Sequence, residues 1–177
     1  MFSLDESDTI EHVTKATKTQ EASAEAISKT KENEANEVAA IKQQAAEAIA
    51  LAKKQLAKSD RREVSELSKI IGESYFNLKQ YENAVPYLTE YNGKGGKWSN
   101  TDHYQLGYVF YKRNEFEAAI SEFNKIIDGE NFVAQNAYYH LAQCYLKTDK
   151  KPEALNAFKN ASEMEFDTGI KENSFLN

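Results

Sequence analysis

The sequence predicts an all-α protein, a helical repeat solenoid preceded by one long N-terminal helix. Three observations predict it. Small, apolar and aromatic residues recur in fixed order at a spacing of 35 residues: Ile71-Gly72, Leu106-Gly107 and Leu141-Ala142, then Tyr75, Phe110 and Tyr145, then Ala84, Ala119 and Ala154, then Leu88, Phe123 and Phe158. A period of that length marks a stacked array in which no unit buries its apolar face alone. Composition divides the chain in two: apart from Phe2, every aromatic lies at or beyond Tyr75, and every Gly and Pro at or beyond Gly72. Residues 4–70 are instead Ala, Glu, Lys, Gln, Ser and Thr with sparse Ile, Val and Leu, a helix-forming composition without breakers.

The long helix, within residues 1–59, comes first in the chain. Ser3 and Glu6 have capping-box spacing. A continuous helix from residue 8 to 58 would be ~75 Å long. A stop is expected at Ser59-Asp60, where Asp60 and Glu63 offer a second start signal. A heptad register runs through Ile10, Val13, Thr17, Gln20, Ala24, Ile27, Lys31, Glu34, Val38, Ile41, Ala45, Ala48, Ala52 and Gln55. Lys31 and Glu34 interrupt that seam, and Ile49 and Leu56 sit one place out of register. So polar a helix is marginal alone in water. Three arrangements stay open: a weak homo-oligomeric coiled coil through residues 8–58, a helix folded back against the repeats, and a solvated spacer.

Residues 60–177 hold the repeats. In each unit the first small residue (Gly72, Gly107, Ala142) lets the second helix approach, and the second (Ala84, Ala119, Ala154) does the same from the facing helix. The apolar and aromatic positions between them close the gap at spacings of three and four. Tyr81 and Phe116 place an aromatic where each second helix begins. The third unit has Lys151-Pro152 there, and proline suits a first helical turn.

This order resembles the tetratricopeptide repeat (TPR), a helix-turn-helix unit of ~34 residues. The resemblance covers residues 65–177, as units at 65–99, 100–134 and 135–166 and a partial helix at 167–177. Two features depart from the pattern. The early aromatic of the first helix is Ser68, His103 and Tyr138, and the closing proline is replaced by Gly96 and Asn131. Pro86 falls inside the second helix of the first unit, where it removes a donor and should bend the helix. The last segment reads either as the start of a further unit, cut short, or as a capping helix over the last apolar face.

In TPR stacks the first helices line a concave groove, and the resemblance assigns that groove to named positions. The first unit supplies Glu66, Lys69, Glu73, Phe76 and Asn77. The second supplies Thr101, Tyr104, Tyr108, Tyr111 and Lys112, and the third Asn136, Tyr139, Gln143, Leu146 and Lys147. Its middle is rich in tyrosine, which suits recognition. Tyr104, Tyr108 and Tyr139 are expected to be exposed, against the alternative that they pack between helices. TPR domains that clamp the carboxylate of chaperone tails need Lys, Asn and Arg at set places. Only Lys69 fits. Glu73, Gln105, Asn136 and His140 do not, and Glu73 would repel a carboxylate.

Other chemistry is thin. The net charge of −6, without a basic stripe, argues against nucleic acid. No apolar run approaches the ~20 residues of a membrane span, and no signal-peptide core is present, so the chain as written reads as cytoplasmic. A periplasmic or cell-envelope place follows if it is an internal fragment of an exported protein. Asn92 to Lys97 fails the spacing of a phosphate loop, because Tyr91 stands where the first glycine belongs and Trp98 follows the lysine. A flexible inter-unit turn is expected there. His12, His103 and His140 share no metal-ligand spacing with each other or with Cys144, which reads as a small buried apolar residue. No nucleophile–base pair is found, so no catalytic residue, metal or cofactor is expected, and the chain does not read as an enzyme.

Two functions follow from the resemblance. One is a protein–protein scaffold whose groove holds a partner protein or peptide segment. The other is an oligomeric assembly module in which the N-terminal helix presents several copies of the repeats. The plan of coiled coil followed by TPRs resembles that of periplasmic TPR proteins of cell-envelope machinery. Residues 8–58 lying along the repeats, blocking or completing the groove, would join the two.

Overall fold

The structure is a computed structural model that describes residues 6–91, 93, 96–126, 129 and 131–176, with side chains from residue 23 onward. The described residues form helices α1 (Glu6–Leu56), α2 (Arg61–Asn77), α3 (Tyr81–Glu90), α4 (Asn100–Lys112), α5 (Phe116–Phe123), α6 (Phe132–Lys147), α7 (Lys151–Glu163) and α8 (Thr168–Leu176), and no strand. The expected cap at Ser3 and Glu6 lies outside the described side chains, as do His12 and the first heptad positions.

Three helix pairs, α2–α3, α4–α5 and α6–α7, stack in sequence order with α8 following. Each first helix is capped by a side chain. Asp60 accepts from the amides of Arg62 and Glu63, with Glu63 reaching back to the Asp60 amide. Ser99 and Asp102 form the same reciprocal box on α4, and Asn131 accepts from the Ala134 amide on α6. These bonds satisfy donors that a helix start leaves open.

Within each pair the turn is the same. Lys79, Asn114 and Asp149, 35 residues apart, all take positive φ, at 57°, 61° and 56°. Their amides donate to the carbonyls of Phe76, Tyr111 and Leu146, and the next amides to Tyr75, Phe110 and Tyr145. This is the Schellman arrangement, which closes a helix through one left-handed residue. Gln80, Glu115 and Lys150 then open the second helices without a side-chain cap.

Between helices, the recurring positions are where the sequence puts them. Ile71, Leu106 and Leu141 are buried, as are Ala84, Ala119 and Ala154. A methyl group added at Gly72 would lie 2.7 Å from the Leu88 side chain and 3.0 Å from its backbone nitrogen, and one at Gly107 would lie 2.8 Å from the Phe123 ring. Real Cβ atoms do not come that close, so the glycines set the helix separation. Pro86 sits inside α3, as expected.

The chain divides into two units, Met1–Gln44 and Ala45–Asn177. The repeat unit therefore starts before the boundary expected at residue 59, and its packing explains why. Ile49 and Ala52 are buried with Ile71, and Leu56 packs on the same cluster. Ile49 stands 35 residues before Ala84, which with Leu88 covers Leu106 in the next layer. The end of α1 thus substitutes for the second helix of a preceding unit. Lys53 adds a 2.8 Å hydrogen bond to the Tyr75 hydroxyl and lies over the Tyr75 and Tyr87 rings. At the other end, fully buried Gln135 holds the α7–α8 connection. Its amide group donates to the carbonyls of Ala161, Met164 and Asp167 and accepts from the Asp167 amide at 2.6 Å.

Candidate functional site: a tyrosine-walled cleft

Helices α2, α4 and α6 present their inner faces to one open cleft of about 380 Å³, lined by Phe76, Asn77, Lys79, Tyr81, Tyr104, Tyr108, Asn136 and His140. Helical spacing explains much of the alignment: Tyr104 and Tyr108, and Asn136 and His140, are four apart and each pair lies on one stripe of a first helix, while Phe76 and Asn77 are neighbours in the last turn of α2. Tyr108 is the hub. Its ring meets Phe76 at 5.7 Å, Tyr81 at 5.8 Å, Tyr104 at 5.9 Å and His140 at 5.0 Å, in mostly edge or offset contacts that aromatic quadrupoles favour.

The expectation that Tyr104, Tyr108 and Tyr139 are exposed needs correction. All three are half-buried, because each rests on the layer beneath: Tyr104 against Phe123, Tyr139 against Phe158, and Tyr108 among the rings just named. Burial pushes the Tyr104 phenol well above its usual range, with the neighbouring Tyr108 and Tyr81 adding to it. Tyr111 is also half-buried and raised, first by desolvation. Of these rings Tyr104 and Tyr108 are both packing and cleft wall.

His140 lines the cleft and is packed among Tyr104, Tyr108, Tyr111 and Tyr139, with Nδ1 3.2 Å from the Gln143 side-chain oxygen. Desolvation lowers its pKa from 6.5 to about 4, and Lys112 pushes the same way against the bond to Gln143. The ring is neutral at pH 7. His103 lies away from the cleft, stacked 5.1 Å from Trp98 with Nδ1 2.9 Å from Glu122.

The expected groove residues do not all converge. Lys69 and Glu73 belong to a separate polar group in which Lys69 Nζ donates to buried Asp102 at 2.7 Å and lies 3.8 Å from Glu73. Burial opposes ionisation of Asp102, but Lys69 and Ser99 outweigh it and hold its pKa below the usual value. The pair joins α2 to α4, and Lys69 is committed to it. Near this group the Gln105 side-chain oxygen is buried without a hydrogen-bond partner, while its amide serves Glu73. Lys112 and Lys147 are exposed in the last turns of α4 and α6, with Lys112 Nζ 5.9 Å from the centre of the Tyr108 ring. Gln143 is half-buried against His140.

Sequence reasoning missed Tyr81 and Lys79 as cleft residues. Tyr81 was placed only as a start of α3. For Lys79 a signal existed: it falls in the same register as Asn114 and Asp149, both residue types tolerant of left-handed turns. Cys144 is fully buried, and burial first, then Glu117, pushes its thiol up to about 12, as suits an inert packing residue. Among the described residues no group of three or more His, Cys, Asp or Glu side chains could hold a metal. No helix among them is long and apolar enough to cross a membrane.

Comparisons with known proteins agree with this geometry. Residues 70–91 match the family model of the tetratricopeptide repeat, and residues 94–161 that of the anaphase-promoting complex, cyclosome, subunit 3. No curated protein matches the chain by sequence. Among solved structures, one titled "MamA MSR-1 C2" superposes with a TM-score of 0.57 at 19% identity, covering 74% of this chain and 70% of that one. Identity that low shows a shared fold and nothing finer. Repeats of this kind generally serve as protein-interaction scaffolds. The stacked helix pairs from Arg61 onward are thus similar to tetratricopeptide repeats in period and packing, and residues 70–91 match that family's model.

Proposed function

We propose that this protein is an interaction scaffold that holds a segment of a partner protein in the cleft between α2, α4 and α6. The observation that carries the reading is the open aromatic wall: four rings and an imidazole meet there, half-buried on one side and facing the cleft on the other. Aromatic side chains in such a position bury large area at little entropic cost when a partner arrives. Tyr139, Gln143 and Lys147 on α6 extend the same face toward the third unit, and Tyr111 and Lys112 extend it along α4.

The test pairs Tyr108→Ala with Tyr139→Ala in the full chain and follows capture of protein partners from the native source. Capture is expected to fall at least tenfold, with helical content by circular dichroism within about a tenth of the parent. Capture at the parental level would place binding on the convex face or on the turn around Gly93–Trp98 instead.

A second reading, self-association through α1, has its own support. Residues 23–44 are exposed throughout, and Ile27, Val38 and Ile41 are each about half exposed or more, on the heptad seam. Apolar residues on an otherwise charged helix favour a partner helix. Light scattering on the full chain should then give a multiple of 20.1 kDa, and a chain begun at Ala45 should be monomeric. A full-length monomer at micromolar concentration would remove this reading.

A further inference from the structure

We propose that the cleft takes an acidic peptide segment, its carboxylates on Lys79 and Lys112 and an apolar side chain of the segment packed on the joined faces of Phe76 and Tyr108. The inference rests on the groove reading above and names the chemistry of the partner. It starts from the left-handed turn residues. Asn114 and Asp149 belong to the residue types that enter this conformation most readily, whereas Lys79, with a long side chain and an ordinary Cβ, does not. The conformation is the helix closure shared by all three turns, so what needs a reason is the choice of lysine at this one. Lys79 is the one of the three that lines the cleft.

Charge around the cleft supports the same conclusion. Among its described lining residues Lys79 is the only cation, and no carboxylate stands with it. Lys112 reaches in from the end of α4, with Nζ over Tyr108. Neither lysine makes an ion pair with a described residue, while the other cations nearby are taken: Lys69 by Asp102 and Glu73, Arg113 by Glu82 and Glu115. Two unengaged ammonium groups beside an aromatic wall, on a chain of net charge −6, form a local field opposite to that of the molecule. A basic segment would be repelled there, and an acidic one steered in. This is not the carboxylate clamp of chaperone-binding repeats, whose positions are filled here by the internally paired Lys69 and by Glu73.

The experiment pans a phage-displayed random dodecapeptide library on the full chain and measures the enriched peptides by fluorescence anisotropy. Enriched sequences should carry Asp or Glu beside an aromatic or aliphatic residue. Their affinity should fall at least tenfold in the Lys79→Asn, Lys112→Gln double variant and weaken as salt is raised. Lys79→Asn keeps the turn and should raise Tm, so loss of binding in it is not loss of folding. Peptides that need Tyr108 but ignore both lysines would overturn the charge assignment and leave the groove reading standing. Peptides indifferent to Tyr108→Ala, or no enrichment at all, would overturn both. Should Tyr108→Ala lose helical content, Asn77→Trp, at an exposed cleft position, serves as the blocking variant.

Discussion

Phe123→Ala is expected to cost about 3–5 kcal/mol of unfolding free energy, the largest effect of any single substitution in the repeats. Phe123 is fully buried at the end of α5, and its ring fills the space left by Gly107. It also carries Tyr104 at 6.0 Å and His140 at 6.2 Å, so its removal takes the floor from under the cleft. Guanidinium unfolding followed by circular dichroism measures the loss. A double-mutant cycle then tests the cause. Alone, Gly107→Ala drives a methyl against the ring and should cost about 1–3 kcal/mol. Combined with Phe123→Ala, the same methyl enters vacated space, and its cost should fall to what the Glu122 Cβ, 3.2 Å away, still imposes. A Gly107→Ala cost that is unchanged by loss of the ring would refute the account. Gly72 differs, because part of its contact is the backbone nitrogen of Leu88, which no change of side chain removes.

Acid should weaken the fold well above the range in which carboxylates titrate. His140 is neutral in the folded chain down to about pH 4, whereas in the unfolded chain it takes a proton near 6.5. Above 6.5 both states are neutral and nothing is lost. Between 6.5 and 4 the unfolded state alone is protonated, so stability falls with pH. The full loss, at about 1.4 kcal/mol for each tenfold change, is roughly 3 kcal/mol. Asp102 acts lower: with a folded pKa below the usual 3.8, its contribution is present above that value and disappears as pH drops through the folded one. Glu73, raised first by burial, works in the opposite direction, losing stability as pH rises through its folded pKa. The diagnostic is therefore the difference between wild type and His140→Phe. That variant should lose most of the slope between pH 6.5 and 4, and an undiminished slope would mean that the ring is not held neutral by burial.

Much of the fold was legible in the sequence, and for a definite reason. A solenoid repeats its packing, so Gly72 and Gly107, or Ala84, Ala119 and Ala154, report the same contact several times over. The start signal at Asp60 and Glu63 was legible too, because a capping box is local chemistry. The three left-handed turn residues were present in the sequence but disguised, since Lys79 does not look like a turn residue. The cleft was only half legible. Helical spacing assigned Phe76, Asn77, Tyr104 and Tyr108 to one face, but it could not tell a ring that projects from one that leans on Phe123 or Phe158. Lys69 and Glu73 were assigned to the groove by position alone, and Asp102, from the next first helix, captures the lysine. The role of Ala45–Leu56 was hidden because alanine-rich helix offers no aromatic marker, and only contact with Ile71 reveals it as part of the array.

The glutamine at position 135 ties α6 to the last turn of α7 by one hydrogen bond, to Ala161, and to Met164 and Asp167 beyond it by three more. A displacement of the terminal helix therefore reaches the helix that carries Tyr139 and His140 by a polar link as well as through the packing of α7. An aliphatic residue in place of that amide would remove the polar link and leave only the packed one.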